Sequence, residues 1–584
     1  MNQQRNGPAS WQKLFFLAVC SLPALCAFYM IWKHWVPVPF WDEWETPGGQ
    51  IASYFRGTLT FAELCSQHNE HRLLFPRLIW LPLAILAGWD VRHGMVLTFC
   101  FVCLGSAGLY QLLRSSSGSA LGRVFTFALM NLVLFSPRQY ETFLVGAQGQ
   151  TFVPTFMLLL ALIVNLSGKS LRTKALLNAA AAHVSTYSFG NGMLAWLLAF
   201  PLETRSAKLA SSLRQRILWR AAYVFMAGLS IASYFISYRH PAIAPPVVSP
   251  LMQLPAFVRF VLVWIGSLFS VERPAFAGAV VLLVFGGLAA LAIRQIRSTG
   301  AWRAHYPWLV LGCYTVVSGC VAAMARLGFD YSMAGEARYT AFSAFLYIAT
   351  LGLGFSVYSE AKSRALTSRI GVSLAAVSLA LILPLWAITF KNERRLLRTL
   401  KPAWEHSLLV VRWSAAIPQN PELALLSPYP LQETIGTIQT LAEHDALRPG
   451  LVSQKLAGAI REPPETSAPT AGRLDGASID ATSHLIFQGW ARLPDQDRPA
   501  DCVVLGFVTS EGAWKPFCVV ETGWKRPDLA GLSGSGALAR AGFFGKIDAT
   551  SLPRGEITLK ACAIDLQNER AFPIAGEAKL QSRP

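Results

Sequence analysis

The feature that most constrains this chain is a series of long apolar stretches separated by short clusters of arginine and lysine. Of its 584 residues, 53% are hydrophobic and only 14% are charged, and the mean hydropathy is +0.39. A soluble domain carries roughly 25% charged residues. Apolar stretches of about 20 residues cross a bilayer as helices, and basic loops between them follow the positive-inside rule. The pattern therefore predicts a polytopic α-helical membrane protein.

The net charge of +18 raises the question of nucleic-acid binding. The arginines and lysines fall between apolar stretches, however, and they form no basic helical face or recognition motif. We therefore expect a lipid bilayer as the partner of these charges, and no nucleic acid.

The basic clusters also predict the orientation of the chain. The first apolar segment, 14–32, is longer than the ~7–15-residue core of a signal peptide, so we interpret it as a retained anchor with a cytoplasmic N-terminus. Placing the other basic clusters on the same side predicts about eleven spans. These are 14–32, 91–113, 121–135, 152–166, two half-spans within 176–202, 221–238, 275–292, 308–324, 341–358 and 372–390.

The two half-spans follow from the basic clusters at both ends of residues 176–202. The chain must cross twice or re-enter, and residues 188–192 (Ser-Phe-Gly-Asn-Gly) are the predicted break. Glycine-rich breaks in membrane helices are tolerated where they are buried or line a cavity. A tight outer hairpin with no substrate nearby is the alternative, and we slightly favour it.

The predicted domains are a transmembrane domain over 1–390, an external helical linker over 391–470 and a small external β-sandwich over 471–584. Within the first domain, residues 33–90 are predicted to form a first external loop with an acidic motif and interfacial helices. The β-sandwich is predicted from short β runs separated by turn clusters. The basic run from Lys391 to Lys401 argues against an external linker. We keep the external placement because orientation is a bias summed over all loops.

The ten cysteines show no metal-ligand spacing, and no metal is predicted as required. Three of them, Cys502, Cys518 and Cys562, lie in the predicted β-sandwich. An oxidising compartment permits one disulfide there and leaves one thiol over. The strand positions alone do not identify the pair.

The first external loop contains an unusual acidic motif directly after the first span, where residues 40–45 read Phe-Trp-Asp-Glu-Trp-Glu. Carboxylates near a bilayer interface are poorly solvated and suggest a function by default, and tryptophan is favoured at the headgroup layer. The motif predicts a carboxylate held at the membrane surface. An acidic loop with an aromatic anchor is an equally good interpretation.

Further polar side chains recur in the other predicted external loops, next to helix ends. Together with Asp42, Glu43 and Glu45, they are His68, Glu70, His71, Arg72, Arg138, Glu141, Asn191, Arg326, Arg338 and Tyr339. Acids and bases thus converge on one membrane face, where the head of a phosphate-linked lipid would lie. Scattered loop charges are the alternative, and most of these residues are expected to be structural.

These motifs resemble those of the GT-C superfamily of membrane glycosyltransferases, over roughly residues 10–390. The similar members are bacterial and use polyprenyl-phosphate sugars, like the lipid A aminoarabinose transferases; the motifs are also similar to an uncharacterised bacterial subgroup. The match consists of the acidic pair Asp42-Glu43 after the first span and of residues 71–76, which occupy the place of a His-Pro-Pro-like segment. The paired prolines of that segment are absent here.

The resemblance implies an enzyme of the bacterial inner membrane, with its C-terminal domain on the external, periplasmic face. It implies transfer of a sugar from a polyprenyl-phosphate donor to a glycan, glycolipid or protein acceptor, with inversion and without an obligatory cofactor. A divalent ion is used by some members and is not predicted as required here.

The roles follow from the chemistry of that reaction. A carboxylate acts as general base on the attacking hydroxyl, and arginines neutralise the departing phosphate. Asp42 is the predicted base, with Glu43 as its alternative or orienting partner. Arg338 is the first candidate for the phosphate, followed by Arg326, Arg138 and Arg72. For any single arginine, a snorkelling or loop-capping role is the more frequent one.

Two other classes of protein remain open. A lipid-linked glycan transporter or flippase would place ionisable residues within its spans and show two-half repeat symmetry. A non-catalytic polysaccharide-assembly subunit would grip glycan with its β domain. Trp490, Trp514 and Trp524 are candidates for stacking on sugar rings, although a core role is about twice as frequent for such aromatics.

Overall fold

The structure is a computed structural model with side chains. It describes residues 10–582 except 204–211, 242–251, 270–271, 330, 362–363, 461–470, 495, 497, 510, 533–535 and 551. Most of the proline-rich sequence 240–255, and the serine- and glycine-rich sequence 533–535, lie outside the described residues.

Eight helices in the described part of the chain are long and apolar enough to cross a membrane. They cover Phe16–His34, Val91–Leu113, Ala120–Leu144, Gly146–Leu166, Leu213–Phe235, Pro274–Thr299, Trp302–Arg326 and Ala337–Ser359. These helices confirm a polytopic helical membrane protein. The finer prediction of eleven spans is not confirmed.

The α-helices are numbered in chain order. They are α1 (Ser10–His34), α2 (Gly48–Phe55), α3 (Phe61–Leu64), α4 (Leu74–Ala87), α5 (Val91–Leu113), α6 (Ala120–Leu134), α7 (Tyr140–Leu144), α8 (Val153–Leu166), α9 (Leu171–Thr186), α10 (Ala195–Leu198), α11 (Leu213–Phe235), α12 (Leu254–Gly266), α13 (Pro274–Thr299), α14 (Trp302–Arg326), α15 (Thr340–Ser359), α16 (Arg364–Trp413), α17 (Leu431–Glu443) and α18 (Gln454–Ala459).

The predicted half-spans within 176–202 form one helix and a set of short turns. Helix α9 ends at Thr186, and a 3-10 turn over Gly190–Leu194 leads into the four-residue helix α10. The predicted break is therefore present. The segment after it is too short for a second half-span of the predicted length.

The last predicted span, 372–390, lies inside α16, a helix of 50 residues. Only the backbone is described for residues 364–377. The helix continues through the basic run from Lys391 to Lys401, where the sequence predicted that the last span would end and the external helical linker would begin. This run is rich in Leu, Arg, Lys and Glu, which are strong helix formers. At 1.5 Å per residue, α16 is about 75 Å long.

The chain divides into two compact units. The first comprises 1–35, 60–80 and 91–399, and the second comprises 36–59, 81–90 and 400–584. The predicted first external loop is thus shared between the units, and its acidic motif belongs to the second.

Helices in the first unit pack through small and polar residues, as is usual in membranes. A Cβ at Gly278 would lie 2.0 Å from the carbonyl oxygen of Leu262, so α12 and α13 approach each other closely only because glycine is there. The side chain of Asn131 in α6 donates to the carbonyl of Cys20 in α1 (2.9 Å) and accepts from Ser106 in α5 (2.7 Å). These bonds link three helices.

The second unit contains the β strands of the C-terminal region, after a small hairpin, β1 (Gln67–His68) and β2 (His71–Arg72), in the first unit. They are β3 (Gly472–Ile479), β4 (His484–Ala491), β5 (Cys502–Val508), β6 (Trp514–Glu521), β7 (Gly542–Asp548), β8 (Gly555–Asp565), β9 (Arg570–Pro573) and β10 (Ala578–Ser582). One antiparallel sheet has the order β10-β8-β5-β6, with β9 on β8, and the other has the order β3-β4-β7.

The two sheets enclose a common apolar core that includes Phe487, Phe517 and Phe543. The opposite face of the larger sheet packs against the end of α16, through Leu409 and Trp413. Five of the eight strands match the β runs predicted from the sequence. The glycine-rich β3 and the short β9 and β10 were not predicted.

All three cysteines of this β domain are free and buried. Cys518 belongs to the core between the sheets, whereas Cys502 and Cys562 belong to the cluster that faces α16. Cys518 therefore lies on the opposite face from both possible partners.

Candidate functional site

A tight hairpin in the first unit presents the first group of polar side chains. Strands β1 and β2 pair His68 with His71 across a two-residue turn of Asn69 and Glu70. Asn69 has a φ of 48°, in the left-handed region that asparagine tolerates in such turns. The side chain of Gln67 donates to the carbonyl of Asn69 (2.6 Å) and closes the turn. The turn places Glu70 at the tip of the hairpin.

The tip carboxylate pairs with an arginine from a distant helix end. Glu70 Oε2 lies 2.6 Å from Arg326 Nη2, in the last turn of α14. The second carboxylate oxygen, Glu70 Oε1, is buried and has no hydrogen-bond partner among the described residues. A buried carboxylate oxygen without a donor is costly unless something else satisfies it. This oxygen can accept a hydrogen bond from a substrate hydroxyl.

His71 is held beside this pair as a neutral imidazole. Its ring stacks on Phe189 with centroids 3.7 Å apart, and its Nδ1 accepts the backbone N–H of Gly190 (3.2 Å). Burial, together with the nearby charges of Arg326 and Arg338, lowers the pKa of His71 to about 3. With Nδ1 accepting, the ring proton resides on Nε2. His71 is therefore a hydrogen-bond donor at neutral pH and a poor base.

The helix break after α9 places an amide next to polar groups of α14. Asn191 Nδ2 donates to Ser318 Oγ (3.1 Å). Asn191 Oδ1 and the hydroxyl of Tyr314 are buried without hydrogen-bond partners of normal geometry in the described part of the chain. The break therefore forms a polar spot within an otherwise apolar helix packing.

Arg138 lies in a 3-10 turn over Pro137–Gln139 that follows α6. Its guanidinium pairs with Glu393 (3.1 Å) and donates to the carbonyl of Gly335 (2.7 Å). Glu393 is almost fully buried. Its place in a basic stretch was a signal that the sequence analysis did not use.

Arg338 and Tyr339 lie in a short 3-10 turn, Ala337–Tyr339, that leads into α15. The backbone N–H of Arg338 donates to Glu141 Oε2 (3.1 Å), and its guanidinium forms an ion pair with Glu336. Burial raises the pKa of Glu336, while the charge of Arg338 lowers it and that of Glu141 raises it. The Arg338 guanidinium also lies over the Tyr339 ring, 5.6 Å from its centroid.

Arg72 contacts the backbone of neighbouring segments. Its guanidinium donates to the carbonyls of Tyr234 (2.6 Å), Cys65 (2.8 Å) and Ile236. These bonds satisfy backbone acceptors and hold the hairpin against the end of α11. The geometry does not favour Arg72 as a phosphate ligand. His68, behind it in the hairpin, is buried.

The remaining three arginines of the candidate site share one arrangement. Each is paired with a glutamate: Arg326 with Glu70 and Arg138 with Glu393, both from distant segments, and Arg338 with Glu336 at the start of its own turn. The positive charges of Arg326 and Arg338 both lower the pKa of His71, so these two arginines lie close enough to His71 to interact with it electrostatically. A guanidinium has five N–H donors, and one carboxylate does not use them all. The cluster can bind an anionic, hydroxyl-bearing ligand without exposing unpaired charge.

The acidic motif of the second unit has its own geometry. Residues 41–44 form a 3-10 turn, and Trp41 has a φ of 54°, which is strained for a large side chain. Glu43 is buried and its Oε2 accepts the backbone N–H of Phe40 (2.8 Å). Asp42 and Glu45 are only partly buried. Glu43 therefore has a capping role, and Asp42 is the more accessible carboxylate.

Among the described residues, no group of three or more His, Cys, Asp or Glu side chains is arranged to hold a metal ion. Comparison of the chain with protein-family models, with curated proteins and with solved structures finds no match.

Proposed function

We propose that this chain is a membrane glycosyltransferase that moves a sugar from a polyprenyl-phosphate donor to a cell-envelope glycan, glycolipid or protein. The single observation that supports this most is the cluster of Arg326, Arg338 and the neutral His71 around Glu70. A sugar linked to a phosphate needs guanidinium groups to bind the phosphate and hydrogen-bond acceptors to bind the sugar hydroxyls. The arginines of this cluster supply the first, and the Glu70 carboxylate supplies the second.

The proposed reaction is a single displacement with inversion. The acceptor oxygen bonds to the anomeric carbon, the bond from that carbon to the phosphate oxygen breaks, and polyprenyl phosphate leaves. The hydroxyl proton goes to a carboxylate. Asp42 is the proposed base, because it is less buried than Glu43, which caps the Phe40 N–H. Proton transfer of this kind contributes about 10²–10⁴-fold to the rate.

In the proposal, Arg338 binds the departing phosphate. A planar guanidinium can hold two phosphate oxygens at once, and the Glu141 carboxylate fixes the backbone from which Arg338 extends. The Nε2–H of His71 and the free oxygen of Glu70 are proposed to bind sugar hydroxyls. The proposed location is the bacterial inner membrane, with these groups on the periplasmic side.

The test is a transfer assay with the full chain in proteoliposomes and radiolabelled polyprenyl-phosphate hexoses or pentoses as donors. Release of polyprenyl phosphate should depend on an added acceptor extract. Asp42→Asn should lower the rate by two orders of magnitude or more, with the protein still folded and inserted. Glu63→Gln, which neutralises a carboxylate in the same loop outside the candidate site, is the matched control.

Two outcomes would contradict the proposal. Near-normal transfer by both Asp42→Asn and Glu43→Gln would remove the carboxylate assignment. Movement of the intact lipid-linked sugar across the vesicle membrane, without release of polyprenyl phosphate, would instead identify a transporter.

A further inference from the structure

The β domain has two exposed aromatic side chains that touch each other on its outer surface. Trp524 is 59% exposed and Phe544 is 37% exposed, and their ring centroids lie 5.2 Å apart. In the described part of the β domain, from Gly472 to Ser582, these are the exposed large apolar side chains. We call this pair the aromatic patch.

The other two tryptophans of the domain have core positions. Trp514 is 5% exposed and packs in the cluster that faces the end of α16. Trp490 is partly buried against Leu529 and Leu538. Of the three tryptophans considered from the sequence, Trp524 is therefore the most exposed, while Trp490 is partly buried and Trp514 is buried.

The aromatic patch is rigid because its backbone is tied to a strand. Trp524 and Gly542, the first residue of β7, exchange two backbone hydrogen bonds of 3.0 and 3.1 Å. A Cβ at position 542 would lie 2.8 Å from the Trp524 carbonyl oxygen and 2.9 Å from Arg526 Cγ. Glycine is thus what lets the Trp524 segment lie flat on the strand. A rigid platform binds without an ordering cost.

Planar polar groups surround the patch. Gln488 is exposed on β4 directly opposite Phe544. The guanidinium of Arg526 is held between Asp475 (2.6 Å) and Asp528 (2.7 Å), on the side of Trp524. Amide, guanidinium and carboxylate groups in fixed planes can donate to and accept from neighbouring hydroxyls.

The charge around the patch favours a neutral ligand. Asp475 and Asp528 are balanced by Arg526 and the exposed Lys525, so the patch offers no net positive charge to a phosphate backbone or an anionic lipid surface. The two rings also offer far less area than the roughly 800 Å² per partner of a stable protein interface. A sugar ring has an apolar C–H face for the aromatics and hydroxyls for the rim.

From these observations we propose that the aromatic patch binds a neutral glycan. Only the identity of this glycan, as the acceptor or the product of the transfer, rests on the proposed function. Binding itself needs neither donor nor transfer.

The test is direct binding of neutral hexasaccharides of glucose, mannose and N-acetylglucosamine to the full chain in detergent, measured by saturation-transfer NMR and calorimetry without donor. At least one should bind to the wild type. Trp524→Ala should weaken binding at least tenfold, and Trp524→Tyr should restore most of it. Leu425→Ala removes an exposed apolar side chain of the same unit and should have no effect.

Binding to none of the three sugars, or equal binding by Trp524→Ala, would overturn the proposal. So would quenching of Trp524 fluorescence by brominated lipids in proteoliposomes, with Trp524→Phe as the blank, because it would identify a membrane anchor. The binding measurements need no transfer activity. Failure of the glycan-binding proposal can therefore be distinguished from failure of the glycosyltransferase proposal.

Discussion

The carboxylate of Glu70 and the guanidinium of Arg326 form an ion pair of 2.6 Å between positions 256 residues apart in the chain. Their side chains are 18% and 22% exposed. The pair joins the tip of the β1–β2 hairpin to the end of α14. Because both charges are largely withdrawn from water, the loss of one leaves the other poorly compensated.

We expect Glu70→Gln and Arg326→Gln each to lower the free energy of unfolding by about 2 kcal/mol, the usual cost of a lost charged hydrogen bond. The double variant should lose less than the sum of the two single variants, because the unpaired charge is then absent. Chemical denaturation in detergent measures all three values.

The exposed pair of Arg448 and Asp445 is the control for this cycle. Asp445→Asn should cost less than about 1 kcal/mol, since solvated ion pairs contribute little. If the losses in the free energy of unfolding of the Glu70 and Arg326 variants are additive, the ion pair does not couple the β1–β2 hairpin to α14.

Arg338 should respond differently in the transfer assay. Arg338→Ala should raise the KM for the lipid donor and leave the KM for the acceptor unchanged, because the acceptor does not contact the donor phosphate. Arg338→Lys should recover only part of the donor affinity, since an ammonium retains the charge without the two-pronged geometry. The measurement is transfer at varied donor concentrations.

Arg326 is the comparison for Arg338, because it occurs twelve residues earlier and its partner Glu70 comes from the distant hairpin, whereas Glu336 is local to Arg338. Arg326→Lys should change stability more than donor KM. If Arg338→Ala folds and has the wild-type KM for the lipid donor, Arg338 does not bind the phosphate, and Arg138 becomes the next candidate.

His406 in α16 is held between two carboxylates of the second unit. Its Nε2 lies 3.0 Å from Glu422 and its Nδ1 lies 2.8 Å from Glu521 on β6. Burial lowers the pKa of His406, but the hydrogen bonds and charges of these glutamates raise it more, to about 10. Because this exceeds the ordinary pKa of 6.5, the native state binds the proton more tightly than the unfolded state does.

The stabilisation from His406 should therefore be complete below pH 6.5 and decline as the pH rises toward 10. Thermal unfolding in detergent should show a midpoint that falls over this range in the wild type and falls less in His406→Gln. His444→Gln, at an exposed histidine of the same unit, should retain the wild-type slope. Equal slopes in the wild type and in His406→Gln would contradict the prediction.

The proposed orientation can be tested by cysteine labelling in whole cells with a membrane-impermeant reagent. Ala62→Cys and Ser332→Cys, both at exposed positions of proposed external loops, should be labelled. Ser298→Cys, at the exposed end of α13, should be labelled only after the membrane is permeabilised. The reverse pattern would invert the topology.

Local patterns in the sequence were sufficient for much of the fold. Long apolar stretches predicted the membrane helices, and the Ser-Phe-Gly-Asn-Gly stretch predicted the break after α9. Alternating apolar residues predicted strands such as β4 and β7, whose burial alternates along the chain. The continuous helix α16 was missed because hydropathy falls at its basic run while helix propensity does not.

The sequence by itself determined that this is a polytopic helical membrane protein with a C-terminal β region, because hydropathy and periodicity are properties of neighbouring residues. Only the tertiary structure decided which charges meet. It paired Arg138 with Glu393 across 255 residues and assigned Arg72 to backbone carbonyls. It also left Trp524 exposed while burying Trp514. These outcomes depend on which distant segments pack together, and local composition does not encode that choice.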